Sequence, residues 1–99
     1  AYNATKEAIR ALSRTAAREW GKYGITVNVI NPVIYSDLMA NFEKVAPDAV
    51  ASMIEQIPMR RVGDPLKDAG GVAVFIAGPD AGYLTGMTFQ VDGGFLMVP

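Results

Sequence analysis

Hydrophobic positions in the first 22 residues repeat with the period of a helix. Small and apolar side chains recur every three or four positions, at Ala4, Ala8, Ile9, Leu12, Ala16 and Trp20. A basic row repeats one turn apart beside them, at Lys6, Arg10, Arg14 and Arg18. Glycine first occurs at 21 and again at 24, and glycine is typical of helix ends. The pattern predicts a helix over 2–22.

Two short segments have the composition of strands. Residues 25–30 are β-branched and almost continuously apolar, which is typical of a strand buried on both faces of a parallel sheet. Pro32 follows, and because proline has no N–H for the ladder we expect the strand to end before it. A second strand is predicted over 87–91, ahead of the turn-forming residues 92–94.

The segment between these strands is helical in places. Helices are predicted over 37–45 and 47–56, with Pro47 at a first helical position. A further helix is predicted from the N-cap Asp64 to about Gly78. Many apolar side chains of this stretch have no obvious core partner: Leu38, Met39, Phe42, Met53, Ile57 and Met59. We therefore expect residues 33–63 to form a helical flap.

The order helix–strand–helical flap–helix–strand predicts an α/β fold. A strand–helix–strand unit predicts two parallel neighbours joined by a right-handed crossover. Two strands cannot cover their own edges, so the order is typical of the last third of a larger α/β sheet. The chain also opens at Ala1 rather than at a methionine, and we expect further protein upstream.

Composition excludes several classes of function. The chain has 99 residues, enough for one domain, and is 51% hydrophobic. Lys+Arg number 9 against Asp+Glu 10 with no basic cluster, which argues against nucleic acid. No apolar run approaches the roughly 20 residues of a membrane span, and no signal peptide is visible, so we expect a cytoplasmic protein without membrane contact.

The chain contains neither cysteine nor histidine. This excludes a disulfide framework, a zinc–thiolate site and a Ser-His-Asp triad, and we expect no metal site. Acid–base chemistry must then come from Tyr, Lys, Asp or Glu. Tyr2 and Lys6 lie four residues apart on the predicted helix and so share a face. A nearby cation stabilises a phenolate, which makes the pair a candidate general acid or base, although this spacing is common on helices.

Four segments, taken together, are far more specific than this pair. They are Tyr2-Asn-Ala-Thr-Lys6, Gly24-Ile-Thr-Val-Asn-Val-Ile-Asn-Pro32, Arg61-Val-Gly-Asp-Pro65 and Tyr83-Leu-Thr-Gly-Met-Thr-Phe-Gln-Val-Asp-Gly-Gly94. In this order and at these separations the sequence resembles the C-terminal part of a short-chain dehydrogenase/reductase. The resemblance covers essentially the whole chain. It implies a Rossmann-like doubly wound parallel sheet, with 1–99 as the C-terminal portion of a single oxidoreductase domain and 33–63 as its substrate-side flap.

The resemblance also implies an activity, a cofactor and residue roles. The activity is hydride transfer between NAD or NADP and a small carbonyl or alcohol substrate. Tyr2 matches the catalytic tyrosine, and Lys6 the lysine that assists it and binds the nicotinamide ribose. Pro32 matches the proline beside the nicotinamide ring. The family further implies a homo-oligomer, a tetramer or a dimer, and the apolar run 95–98 is in keeping with a subunit contact.

One motif departs from the family pattern. The family continues Pro-Gly-x-Ile-x-Thr, whereas this chain reads Pro32-Val-Ile-Tyr-Ser-Asp-Leu38. Without a gap, Asp37 takes the threonine position. With one residue deleted at the glycine, Ile34 and Ser36 match the isoleucine and threonine that lie near the nicotinamide carboxamide. We prefer the second register because it also places Leu38 on the usual apolar position.

Parts of the family machinery are expected upstream of Tyr2. These are the glycine-rich phosphate loop, an asparagine and the catalytic serine, and the glycine pairs at 70–71 and 93–94 lack the context to replace the loop. We therefore expect these 99 residues alone to be inactive. The alternative is a truncated or degenerate relative that acts as a non-catalytic oligomerisation or interaction module. The choice between NAD and NADP, the substrate and the direction of reaction stay open.

Overall fold

A computed structural model describes residues 1–97, so Val98 of the apolar run 95–98 lies outside the described residues. The helices are α1 (Tyr2–Trp20), α2 (Asp37–Val45), α3 (Pro47–Gln56) and α4 (Gly71–Ala77), and the strands are β1 (Val29–Pro32) and β2 (Thr88–Val91). The chain forms two compact units. One holds Ala1–Ile30 with Ala73–Phe89, and the other holds Asn31–Val72 with the residues from Gln90 onward.

The first helix agrees with the prediction. α1 is followed by a 3₁₀ turn, and Gly24 closes it in the left-handed conformation at φ 77°, with its N–H donating to the Gly21 carbonyl. Ala17 is the residue of α1 that is buried. Large apolar side chains of this helix, such as Leu12 at 69% exposure, therefore remain open to solvent.

β1 begins later than predicted because side chains replace its first ladder bonds. Val27 donates its N–H to the Thr85 hydroxyl at 3.0 Å. Asn28 donates its side-chain amide to the Leu84 carbonyl at 3.0 Å, and its side-chain oxygen accepts from the Met87 N–H at 3.1 Å. Regular backbone pairing starts at Val29, not at residue 25.

β1 also includes Pro32, contrary to the prediction that the strand stops before it. The neighbouring residue Val33 donates its N–H to the Val91 carbonyl at 2.9 Å. In a parallel ladder alternate residues donate to the same neighbour, so the missing N–H of Pro32 interrupts no bond to β2.

The two strands are adjacent and parallel, as predicted. Val29 donates to the Met87 carbonyl and Val33 to the Val91 carbonyl, each at 2.9 Å. Both bonds join residues at the same offset in sequence, which only parallel strands allow. The α/β class predicted from the order of elements is confirmed.

α2 and α3 have the predicted bounds because strong local signals begin them. Ser36 is the N-cap of α2, and its hydroxyl accepts from the Met39 N–H at 3.3 Å. Pro47 occupies the first position of α3. Val50 in α3 and Ile57 directly after it are the largest fully buried side chains.

The helix predicted from residue 64 begins instead as a π-helical turn over Pro65–Gly70. Asp64 is its N-cap, as predicted, and accepts from the Lys67 N–H at 2.7 Å. The Ala69 N–H reaches five residues back to the Asp64 carbonyl at 3.4 Å, which widens the turn.

The turn after β2 is held by a buried carboxylate. Asp92 is 7% exposed and accepts from the N–H groups of Gly94 and Leu96, each at 3.0 Å. Gly93 lies at φ 64°, and a Cβ there would come 2.9 Å from the Ile57 Cγ2 atom. These glycines are turn and packing residues, as predicted.

Gly93→Ala is expected to destabilise the protein that carries this sequence by about 2–4 kcal/mol, through left-handed backbone strain and overpacking. Gly21→Ala is the matched control, because Gly21 has φ −56° and nothing within 4 Å of an added Cβ. The control should be neutral or stabilising by up to about 1 kcal/mol. Urea unfolding midpoints measure both changes, and equal midpoints would contradict this account of the turn.

Candidate active site

Tyr2 and Lys6 meet on the first turns of α1, as their spacing predicts. The Lys6 Nζ atom lies 5.4 Å from the centroid of the Tyr2 ring. This is within cation–π range, so the ammonium and the phenol share one local environment. Tyr2 is 73% exposed, which leaves its ring accessible to a small molecule.

The first turn that carries Tyr2 is fixed by its backbone. The Ala1 carbonyl accepts from both the Thr5 N–H and the Thr5 hydroxyl, each at 2.9 Å. Ala1 itself offers no side-chain cap. Thr5, which lies between the two candidate residues, therefore adds a side-chain hydrogen bond to the turn that carries Tyr2.

Ile34 follows β1 and forms a parallel bridge with Gly63. The Gly63 N–H donates to the Val33 carbonyl at 3.0 Å, and the Tyr35 N–H donates to the Gly63 carbonyl at 2.8 Å. In this pairing the bonded groups belong to the residues on either side of Ile34, so its own N–H and C=O point to the opposite edge. Ile34 thus presents one donor and one acceptor away from the bridge.

Ser36 lies two residues further on as the N-cap of α2. Its oxygen accepts from Met39, and a hydroxyl retains one proton that it can donate. Asp37, the alternative in the sequence register, is exposed and forms the first residue of α2. Pro32 is exposed at the end of β1.

Gly63 explains the Arg-Val-Gly-Asp-Pro segment, which the sequence marked only as a motif. A Cβ at Gly63 would lie 3.1 Å from the Val33 carbonyl oxygen and 3.4 Å from the Asp68 carboxylate. Arg61 donates to both carboxylate oxygens of Asp68, at 2.7 and 3.4 Å. The Asp64 N–H donates to the same carboxylate at 2.6 Å. Gly63 and Asp68 therefore support the bridge, and sequence reasoning missed both roles.

These contacts lower the pKa of the Asp68 carboxyl. The Arg61 hydrogen bond, and then the Asp64 N–H, hold the pKa of the Asp68 carboxyl below its ordinary value of 3.8. The Arg61 and Asp68 side chains are 51% and 30% exposed, so water screens much of the attraction between them.

Tyr35 makes a second unpredicted contact beside the bridge. Its hydroxyl donates to the Glu43 carboxylate on the second turn of α2 at 2.8 Å. This hydrogen bond, followed by partial desolvation and the charge of Glu43, raises the pKa of the Tyr35 phenol. Tyr35, which lies between Ile34 and Ser36, is therefore held by hydrogen bonds from both its backbone and its side chain.

Residues 1–97 contain neither a cluster of metal ligands nor a membrane-spanning helix. No group of three or more metal-ligating side chains lies together in that range. Within the same residues, no helix is both long and apolar enough to cross a membrane.

Comparison with known proteins identifies the family. A family model described as enoyl-(acyl carrier protein) reductase matches residues 1–96. A 12alpha-hydroxysteroid dehydrogenase from Clostridium sp. is 44% identical over 93 residues, covering 94% of this chain and 36% of the relative. The chain belongs to the short-chain dehydrogenase/reductase family, as its sequence motifs predicted.

Solved structures confirm the Rossmann-like fold of the family. A short-chain dehydrogenase/reductase of the glucose/ribitol dehydrogenase type from Brucella melitensis matches with TM-score 0.84 and 31% identity, covering 98% of this chain and 38% of that one. YwfH, an NADPH-dependent reductase of bacilysin biosynthesis, matches with TM-score 0.85 and 30% identity over 94% of this chain and 38% of its own. The chain thus spans little more than a third of the length of these relatives.

Asp68→Asn should make the stability of the protein less sensitive to acid. The pKa of Asp68 is lower in the folded protein than in the unfolded chain. Its contribution to the free energy of unfolding is therefore present above about pH 4 and is lost as the pH falls through the folded-state pKa. Urea midpoints from pH 7 to pH 3 should fall more steeply for the parent protein than for Asp68→Asn. Asp80→Asn, at an exposed aspartate, is the control and should follow the parent. Parallel curves for the parent and Asp68→Asn would contradict the assignment.

Proposed function

We propose that the protein is an NAD- or NADP-dependent oxidoreductase that transfers hydride between the nicotinamide and a carbonyl or alcohol substrate. The observation that carries this proposal is the Tyr2–Lys6 pair. An exposed phenol with an ammonium 5.4 Å from its ring is suited to proton transfer, and it lies where the family has its catalytic tyrosine and lysine.

Tyr2 is the general acid or base of this mechanism. The nicotinamide, when bound, donates or accepts the hydride. In reduction the Tyr2 O–H gives its proton to the substrate oxygen as negative charge develops there, and in oxidation the phenolate removes the proton of the alcohol. Lys6 stabilises the phenolate form and offers an ammonium to the ribose hydroxyls.

We also propose that Pro32, Ile34 and Ser36, which belong to one compact unit, contact the nicotinamide. A carboxamide carries one carbonyl acceptor and an NH₂ donor. The outward N–H and C=O of Ile34 and the hydroxyl of Ser36 complement these groups. Pro32 offers an apolar ring face beside them. We favour Ser36 over Asp37 here, since a hydroxyl can both donate and accept whereas an ionised carboxylate can only accept.

The flap 33–63 is proposed as the substrate side. α2 exposes three apolar side chains at helical spacing: Leu38 at 80%, Phe42 at 51% and Val45 at 83%. We infer an uncharged substrate with an apolar surface, in keeping with the steroid dehydrogenase among the relatives. The assignment of 1–99 to the C-terminal portion of one domain and the cytoplasmic location stay predictions.

We further propose that the protein is a homo-oligomer, a tetramer or a dimer. Support comes from the exposed apolar side chains of α1 and from the C-terminal turn, where Leu96 and Met97 are 49% and 74% exposed. Light scattering should return a mass of two or four chains. A clean monomer at micromolar concentration would contradict this proposal.

Tyr2→Phe should lower turnover by about 100-fold or more, because the ring still packs but the proton is gone. Cofactor affinity should change little. The matched control is Tyr23→Phe, since the Lys22 Nζ atom lies 5.2 Å from the Tyr23 ring in the same kind of pair. Steady-state rates measure both variants. A Tyr2→Phe rate above about a tenth of the parent rate would mean a barrier change under about 1.4 kcal/mol, and the assignment of Tyr2 as the general acid or base would have to be withdrawn.

Substitution of Lys6 extends this test. Lys6→Ala should weaken cofactor binding and lower turnover, because both the ribose hydroxyls and the developing phenolate lose the ammonium that faces them. Lys6→Arg should restore the charge but not the activity, since a planar guanidinium does not reproduce a compact ammonium. Lys22→Ala is the control. A parental rate and a parental cofactor affinity in Lys6→Ala would remove Lys6 from the mechanism.

A further inference from the structure

We propose that Tyr35, through its hydrogen bond to Glu43, is a positioning residue that holds Ile34 and Ser36 in place before the cofactor binds. This inference rests on the proposed function, in which those two residues contact the nicotinamide carboxamide. It assigns a role to a side chain that the family pattern leaves as any residue.

Tyr35 is anchored at two points that lie on different elements. Its N–H donates to the Gly63 carbonyl at 2.8 Å, and its hydroxyl donates to Glu43 Oε1 at 2.8 Å. The first bond fixes the backbone at the bridge, and the second reaches eight residues ahead to the second turn of α2. Tyr35 therefore links the bridge to the helix, and the two proposed cofactor residues lie on either side of it.

The link matters because the side-chain cap at this junction is long. Ser36 caps α2 by accepting from the Met39 N–H at 3.3 Å, near the upper limit of a useful hydrogen bond, whereas the backbone bond from the Ala40 N–H to the Ser36 carbonyl is 2.9 Å. Without the phenol–carboxylate bond, the side-chain hydrogen bonds that join residues 35 and 36 to α2 would be reduced to that long cap. Cofactor binding would then have to order residues 34–36. The entropic cost of that ordering lowers the affinity for the cofactor without changing the chemical step.

The chemistry of the pair suits this role. A hydroxyl that donates to an ionised carboxylate makes a charge-assisted bond, stronger than one between neutral groups. Tyr35 is 45% exposed, so water competes for the bond and its effect should be moderate. Glu43 is the acceptor, so its removal should mimic the removal of the hydroxyl.

The test measures dissociation constants by fluorescence titration with NADH and with NADPH, in the protein that carries this sequence. Tyr35→Phe and Glu43→Ala should each raise the Kd of the preferred cofactor about three- to five-fold. The double variant should be no weaker than either single variant, since both remove one bond. Glu43→Gln keeps an acceptor and should show a smaller effect.

Steady-state kinetics separate positioning from general stability. The KM for cofactor should rise with the Kd, while kcat at saturating cofactor should stay within two-fold of the parent. Tyr83→Phe is the control, because Tyr83 is fully exposed at 101% and should change neither constant.

Three results would overturn the inference. They are a parental Kd in folded Tyr35→Phe, additive losses in the double variant, or a kcat that falls with the Kd unchanged. Each of these leaves the proposed function standing if Tyr2→Phe is inactive. A parent protein that binds neither NADH nor NADPH would overturn the proposed function, and the inference with it.

Discussion

Parallel pairing of β1 with β2 is the constraint on which the rest of the structure depends. Its register, set by the bonds from Val29 to Met87 and from Val33 to Val91, determines where the chain leaves the sheet. Because Pro32 has no N–H and needs none in this register, the strand can run to its last residue and turn away there. The segment that follows then starts from a fixed point, and Gly63 pairs with it two residues later, at Ile34.

Local signals account for the elements that the sequence predicted well. Pro47 and the caps at Ser36 and Asp64 act within a few residues of the helices they start, so a sequence pattern contains all the information needed. The start of β1 depends on Thr85, nearly sixty residues away, which no periodicity in residues 25–30 reveals. The π-helical turn is likewise not revealed by the sequence pattern. It depends on the Ala69 N–H reaching back to the Asp64 carbonyl and not on hydrophobic spacing.

The candidate site likewise combines contacts that the sequence predicts with contacts that it does not. Tyr2 and Lys6 are neighbours because a helix places residues four apart on one face, and the sequence alone predicts that contact. The contacts of Gly63 with Val33 and of Glu43 with Tyr35 are set by tertiary structure, and neither has a spacing signature. The choice between Ser36 and Asp37 was open in the sequence, and the structure gives a physical difference between them: one caps α2 and the other begins it.

The proposed acid–base residues and the proposed cofactor-binding residues should therefore differ in how well they tolerate substitutions elsewhere in the chain. The proposed proton-transfer pair, Tyr2 and Lys6, needs only that α1 remain a helix through its first two turns, so substitutions elsewhere leave its internal spacing intact. The segment Ile34–Ser36 has no regular secondary structure of its own beyond a single bridge. Its conformation depends on contacts with Gly63 and with Glu43, which lie on separate stretches of chain. Sequence divergence in this protein should therefore alter cofactor affinity and selectivity long before it alters the acid–base step.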